Sequence, residues 1–125
     1  MFSHVMVGTN DLQKSKVFYD TVMATLGIGP SFVDGHRMFY MSPKGAFAVS
    51  QPIDGQPACH ANGGTIGFGA RDAEAVKAFH EAGVAAGGTA IEDPPGERNG
   101  AFGTLVLGYL RDPSGNKICA VHRPG

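Results

Sequence analysis

The chain's chemically capable side chains are few: five histidines, two cysteines, and ten basic against eleven acidic residues in 125. His4 lies in the alternating segment Phe2–Val7, where His4 and Met6 face one way and Val5 and Val7 the other. An imidazole turned away from the apolar pair reads as a general base or metal ligand on a cleft floor, or as a hydrogen-bonded strand histidine. Cys119 has Lys117 two residues before it on the same strand face. A reactive thiol needs such a charge nearby; the alternative is a small buried hydrophobe. His60, beside Cys59 and five residues before Thr65, either folds over a cleft mouth or stays in solvent. Glu97 and Arg98 are placed to meet an acidic or carbonyl-bearing ligand at a cleft rim, with Phe102 as a lid, or else form a solvated ion pair. Arg37 and Phe39 fall on one face of a middle strand, and Gly67 and Gly69 leave room where side chains would otherwise stand. Met6, Phe39, Phe102 and Tyr109 would make such a cleft apolar. His36, His80 and His122 fall in a turn, on a helix and at a strand end, and are assigned no chemistry.

The elements that must position these groups come from an internal repeat. Shifted by 61 residues, Ser3–Gly27 falls on Gly64–Gly88, with Gly8, Asp11, Lys16, Phe18, Ala24 and Gly27 meeting identical residues. The matches fall on structural punctuation. Asp11 and Asp72 each precede a helical apolar stripe, as N-caps do. Gly27 and the Gly87-Gly88 pair stand where those stripes stop. After each helix, short strands are predicted: Ile28–Val33, Arg37–Met41 and Ala46–Gln51 in the first half, then Thr89–Ile91, Thr104–Arg111 and Lys117–Val121 in the second. Asp34-Gly35, Ser42–Gly45 and Asp112–Asn116 are the turns. Pro43 and Gly45 match Pro113 and Gly115 at a shift of 70, so the second half carries extra residues; 93–100 is the evident insertion. The fold class expected is α+β: two βαβββ modules, about 1–53 and 64–125, in one domain spanning 1–125, with 54–64 as linker. Strand faces not turned to a helix are left to enclose a ligand.

Composition narrows the function classes. Hydrophobic residues are 42% and charged residues 17%, which excludes a disordered chain. A net charge of -1 argues against nucleic acid as partner. The apolar runs are too short for a membrane span, the first residues carry no signal-peptide pattern, and two cysteines are too few for a disulfide framework, so cytoplasmic localisation is expected. A small-molecule ligand is the partner these limits leave.

Two segments carry a family resemblance. Phe2-Ser3-His4-Val5-Met6-Val7 with Asp11-Leu12 and Phe18-Tyr19-Asp20 resembles the first module of the vicinal oxygen chelate superfamily, which includes glyoxalase I, bleomycin-resistance proteins and extradiol dioxygenases. Leu110-Arg111-Asp112-Pro113-Ser114-Gly115-Asn116-Lys117-Ile118 resembles its last hairpin. The resemblance implies a homodimer and an enzyme of lyase, isomerase or dioxygenase type on a small carbonyl or hydroxylated metabolite. The alternative is a metal-free protein that sequesters a small molecule, as bleomycin-resistance relatives do. In metal-dependent members a divalent ion (zinc, nickel, iron or manganese) is held from four strands. The corresponding positions here are His4, then Val49 with Gln51 as the oxygen donor of the same parity, Thr65, and Cys119, with His60 as a further imidazole. Of these His4 matches the family pattern, and the set as a whole lacks the carboxylates that hard divalent ions favour. His4 and Cys119 are also the candidates for direct, metal-free catalysis, with Met6, Arg37, Phe39, Thr65, Gly67, Arg98, Phe102 and Tyr109 contacting substrate.

Overall fold

The computed structural model describes residues 1–125 throughout. The first half runs β1 (His4–Gly8), α1 (Leu12–Ala24), β2 (Phe32–Asp34), β3 (Arg37–Ser42) and β4 (Gly45–Ser50). The second runs β5 (Ile66–Gly69), α2 (Ala73–Ala85), β6 (Thr89–Gly100), β7 (Gly103–Arg111) and β8 (Lys117–His122). The two βαβββ modules are as the repeat predicts.

The duplicated caps explain why both helices start and stop where they do. Asp11 accepts from the Lys14 N–H at 3.1 Å, and Asp72 from the Ala75 N–H at 2.8 Å. At the other ends Gly27 and Gly87 take φ of 78° and 108°. That lets the Ile28 N–H reach the Met23 carbonyl at 3.0 Å and the Gly88 N–H reach the Gly83 carbonyl at 2.8 Å, satisfying last-turn acceptors.

Each module forms a four-stranded sheet, ordered β1-β4-β3-β2 and β5-β8-β7-β6, in which β1 and β5 run parallel to β4 and β8 and the remaining neighbours are antiparallel. One face of each sheet packs on the helices. Phe18, Tyr19, Val22 and Met23 of α1 meet Met38, Tyr40, Phe47 and Val49, and join Val76 and Phe79 of α2 with Leu110, Ile118 and Ala120 in one core. The Phe47 and Phe68 rings meet edge to face at 5.0 Å between centroids, linking the sheets. The helices themselves meet at Gly83. A Cβ there would lie 2.3 Å from Leu110 Cδ1 and 3.2 Å from Val22 Cγ1, both in the fully buried core, so only glycine permits this approach.

Three strand expectations change. Val49 is fully buried in the core and pairs with Val7, so the open face of β4 carries Ala46, Ala48 and Ser50 instead. The reason is the register in which β4 joins its neighbours: His4 stands beside Ala46, while Val49 meets Val7 and Met38 on the face covered by the helices. Residues 93–100 are not an inserted loop. They extend β6, and Gly96–Gly100 pair with β7 after a bulge between Ile91 and Gly96. Pro94 and Pro95 have no N–H to give a ladder, so pairing skips them and resumes. Finally, β2 begins at Phe32; Ile28 packs against the core at the end of α1.

The modules are locked together by a buried carboxylate. Asp112, 4% exposed, accepts from the Tyr19 hydroxyl at 2.5 Å, from the Ser114 and Asn116 N–H groups at 2.9 Å each, and from the Asn116 side-chain amide at 2.8 Å. That amide also donates to the Gly8 carbonyl at the end of β1, at 2.8 Å. The Ser114 hydroxyl accepts from the Asn10 N–H and bonds the Thr9 hydroxyl. Each donor offsets part of the cost of burying the charge. Truncation with Asp112→Ala leaves several buried donors unpaired and is expected to cost about 3 kcal/mol, against about 1 kcal/mol for Tyr19→Phe. Urea unfolding measures both, and equal small losses would show that the lock contributes little.

A second network ties α1 to β3. Asp20 accepts from Lys16, the Tyr40 hydroxyl, and both the N–H and hydroxyl of Ser31. Burial works to raise its pKa, but these donors outweigh it and bring the carboxyl from 3.8 to about 2. The stability this contributes is complete above roughly pH 5 and is lost as the pH falls toward 2. Asp20→Asn should therefore flatten the decline of the urea midpoint between about pH 4.5 and 2.5; an unchanged slope would contradict the assignment.

Candidate ligand pocket and the open sheet faces

The strands β1 and β5 are the edges of their sheets, and no ladder joins them. Between them lies a cavity of about 690 Å³. Its walls are apolar: Phe2 and Val5 from the first strand region, Met23, Leu26 and Ile28 from the end of α1, Tyr40 and Phe47, and Ile66 and Phe68 of β5. His4, Ser42, Lys44 and Arg71 are its polar members.

The repeat explains why this space is open. In the second half, the turn Asp112–Asn116 bonds across to Gly8, Thr9 and Asn10 at the end of β1. The equivalent turn in the first half is Ser42–Ala46, facing Gly69, Ala70 and Arg71 at the end of β5. Serine replaces the aspartate and alanine replaces the asparagine, so no such bonds form. His80, which stands where the repeat has Tyr19, has a buried Nε2 without a partner. One copy of the turn closes its gap, and the other leaves a pocket.

Within the pocket, His4 Nδ1 and the Ser3 hydroxyl share a hydrogen bond of 2.6 Å, which leaves Nε2 as the free ring nitrogen. An imidazole so oriented can accept or deliver a proton at Nε2 or hydrogen-bond a ligand. The hydroxyl of Tyr40 is engaged by Asp20, at 2.6 Å, and burial with that bond pushes it well above the ordinary phenol range. Tyr40 is thus a fixed, neutral wall.

Gly67 and Gly69 line the pocket from β5. A Cβ on Gly69 would meet nothing within 4 Å. Thr65 is exposed just before β5 and does not line the pocket.

Beyond the pocket, the open face of the first sheet carries Met6, Phe39 and Arg37. Met6 is 42% exposed; Phe39 stacks on Phe32 at 5.4 Å; Arg37 stands opposite Ser50, its Nε buried without a partner. The open face of the second sheet brings Cys119, Tyr109, Lys117 and Glu92 together. Cys119 pairs with Tyr109 across the ladder, and Lys117 forms an ion pair with Glu92 while lying 4.9 Å from the Tyr109 ring centre. Burial pushes the Cys119 thiol up to about 11, with Lys117 drawing it down and Glu92 raising it. At neutral pH it is a protonated thiol and a weak nucleophile. Tyr109 is also raised, chiefly by burial.

Other predicted residues fall elsewhere. His60 lies against Gly115 of the β7–β8 turn and is not among the pocket residues. Gln51 lies past the end of β4 beside Thr9 and Asn10. Arg98 turns its guanidinium onto the carbonyls of Asp93, Pro94, Gly96 and Glu97, holding the β6 bulge together. Phe102, 81% exposed, stands at the tip of the β6–β7 hairpin.

A divalent ion finds no suitable donor set here. No three of the histidine, cysteine, aspartate and glutamate side chains come together in a group able to hold a metal. Beside His4 the open face offers Met6 and Ala46; beside Cys119 it offers Gly67 and Tyr109. One imidazole and one high-pKa thiol do not match the nitrogen-and-carboxylate site such ions require.

Glu92, Lys44 and Arg71 were not legible as site residues. Lys44 and Arg71 line one pocket because β5 ends opposite a turn of the other module. For Glu92 the sequence offers one signal, the Pro94-Pro95 pair that forces the bulge.

A family model described as the Glyoxalase/Bleomycin resistance protein/Dioxygenase superfamily matches residues 1–120. No curated protein matches the chain. The crystal structure of a glyoxalase/bleomycin resistance protein from Albidiferax ferrireducens is similar over 98% of this chain and 99% of that one, with 61% identity and a TM-score of 0.97. A glyoxalase-related enzyme from Fulvimarina pelagi is 21% identical, with a TM-score of 0.76 over 99% of this chain and 88% of that one. Lactoylglutathione lyase from Agrobacterium tumefaciens is 18% identical, with a TM-score of 0.67 over 98% and 92%. The two more distant likenesses show the fold.

The thiol assignment has a direct check. At pH 7.5 iodoacetamide should label exposed Cys59 readily and leave Cys119 at least about tenfold slower. Peptide mass spectrometry over a time course measures the two rates, and equal labelling would contradict the buried, protonated thiol.

Proposed function

The chain belongs to the glyoxalase/bleomycin resistance protein/dioxygenase superfamily, and from that premise we propose that it binds a small, largely apolar organic molecule between β1 and β5, without a metal centre of the superfamily's usual kind. The observation that carries this reading is the pocket itself: about 690 Å³, with 11 of 20 lining residues hydrophobic and a single imidazole on its wall. Clefts of that size and composition suit small-molecule ligands, with the few polar groups setting orientation. Burial of the ligand's apolar surface supplies the affinity, and His4 hydrogen-bonds its polar group.

A second reading keeps chemistry at the same place, as an enzyme of lyase, isomerase or dioxygenase type. It is favoured by the Ser3–His4 bond, which orients the ring and frees Nε2 for proton transfer. In that case His4→Gln should retain binding while lowering turnover of a carbonyl or hydroxylated substrate by about 100-fold.

The binding reading is tested with the neutral apolar fluorophore N-phenyl-1-naphthylamine. Wild-type protein should bind it saturably and be stabilised by it against heat. Gly69→Leu adds a side chain at the pocket wall where nothing opposes it. That variant should keep its melting temperature and lose affinity by about tenfold or more. Equal affinity in both proteins, or no saturable binding in either, would remove the pocket from consideration.

A further inference from the structure

We propose that the open face of the second sheet is an organic-acid site, in which Lys117 binds the ligand's carboxylate and Glu92 occupies that position until the ligand displaces it. The pocket between β1 and β5 contains none of Lys117, Glu92 or Tyr109, so this inference does not rest on the reading above.

Three cations project from this face, and two are committed to the fold. Arg98 donates to four carbonyls of its own bulge, at 2.9 to 3.5 Å. Arg111 donates to the Gly115 carbonyl at 2.8 Å. Both add positive potential while their guanidinium groups are engaged by backbone carbonyls. Lys117 differs: its partner is a carboxylate on a neighbouring strand, and its ammonium lies over the Tyr109 ring. The Lys117 side chain is 25% exposed and that of Glu92 45% exposed, so the carboxylate is the more open member and has a route into water.

The backbone gives a second, separate reason. Glu92 is the one non-glycine residue with a positive φ, at 60°. It begins the bulge that Arg98 clasps. A side chain held on a lysine from a left-handed backbone is a self-supplied ligand under strain, and strain of this kind concentrates at ligand clamps. An incoming carboxylate takes over Lys117 as the half-exposed Glu92 side chain turns into water.

The surroundings state the ligand's other half. Across the ladder the same face presents Tyr109, Leu107 and Val121, with Gly67 rather than a side chain standing beside the buried Cys119. A flat or branched apolar body attached to one carboxylate fits that floor. The neighbouring thiol is protonated at neutral pH and brings no opposing charge.

The test uses the full-length protein with benzoate and its neutral isostere benzamide, followed by ligand-observed NMR titration. Wild type should prefer benzoate. Glu92→Gln removes the internal competitor and should tighten benzoate binding by about 5- to 10-fold while leaving benzamide unchanged, the gain expected when the competent state is populated about a tenth of the time. Lys117→Met should abolish the preference for benzoate, and Lys117→Gln serves if that variant fails to fold. Equal effects of Glu92→Gln on both ligands would overturn the proposal. So would retained preference without Lys117, or absence of benzoate saturation in wild type and Glu92→Gln alike.

Discussion

The carboxylate of Asp112 is buried within a turn of one module and receives a hydroxyl from the helix of the other. An ionised group taken out of water must be met by enough donors, and four converge on it. Through Asn116 the same cluster reaches the last carbonyl of β1. The spacing between the two sheets is therefore set by hydrogen bonds of fixed length. The core alone would not do this, since hydrophobic contact is non-directional.

The pocket is the counterpart of that lock. A duplicated unit produces two equivalent gaps, each between a hairpin turn of one module and the first-strand end of the other. The Asp112–Asn116 turn fills one gap with polar bonds; Ser42–Ala46 lacks the carboxylate and amide to fill the other. What remains is an apolar space with His4 on its wall and Lys44 and Arg71 among its lining residues. Divergence between copies after duplication thus gives both the rigidity of the molecule and its opening. The open face of the second sheet follows a related logic: two arginines donate to backbone carbonyls, while Lys117 pairs with a side-chain carboxylate.

Much of the fold was readable from local rules. Asp11 and Asp72 cap because a short carboxylate satisfies free N–H groups, and Gly27 and Gly87 stop because a left-handed residue must follow. The parity of β1 was likewise plain, since Val5 and Val7 belong inside and His4 outside. Other features were not readable. The face on which Val49 falls depends on the register in which β4 joins β1 and β3, and one residue of slip moves every side chain across the sheet. Residues 93–100 read as an inserted loop because the repeat offset grows from 61 to 70 across them; that the chain beyond the two prolines pairs with β7 as strand was not readable. Arg98 looked like a rim residue, but folding bends its guanidinium back onto its own bulge.

By itself the sequence determined the repeat, the helix limits and the alternation of each strand, because these depend on neighbours within a few residues. It also determined that His4 would stand on the open face of its sheet. Tertiary structure decided what stands beside His4, which turn meets which strand end, and that Glu92 reaches Lys117. Those contacts join residues tens of positions apart. They depend on register, bulge position and the packing of α1 on α2 through Gly83, and no local pattern encodes any of these three.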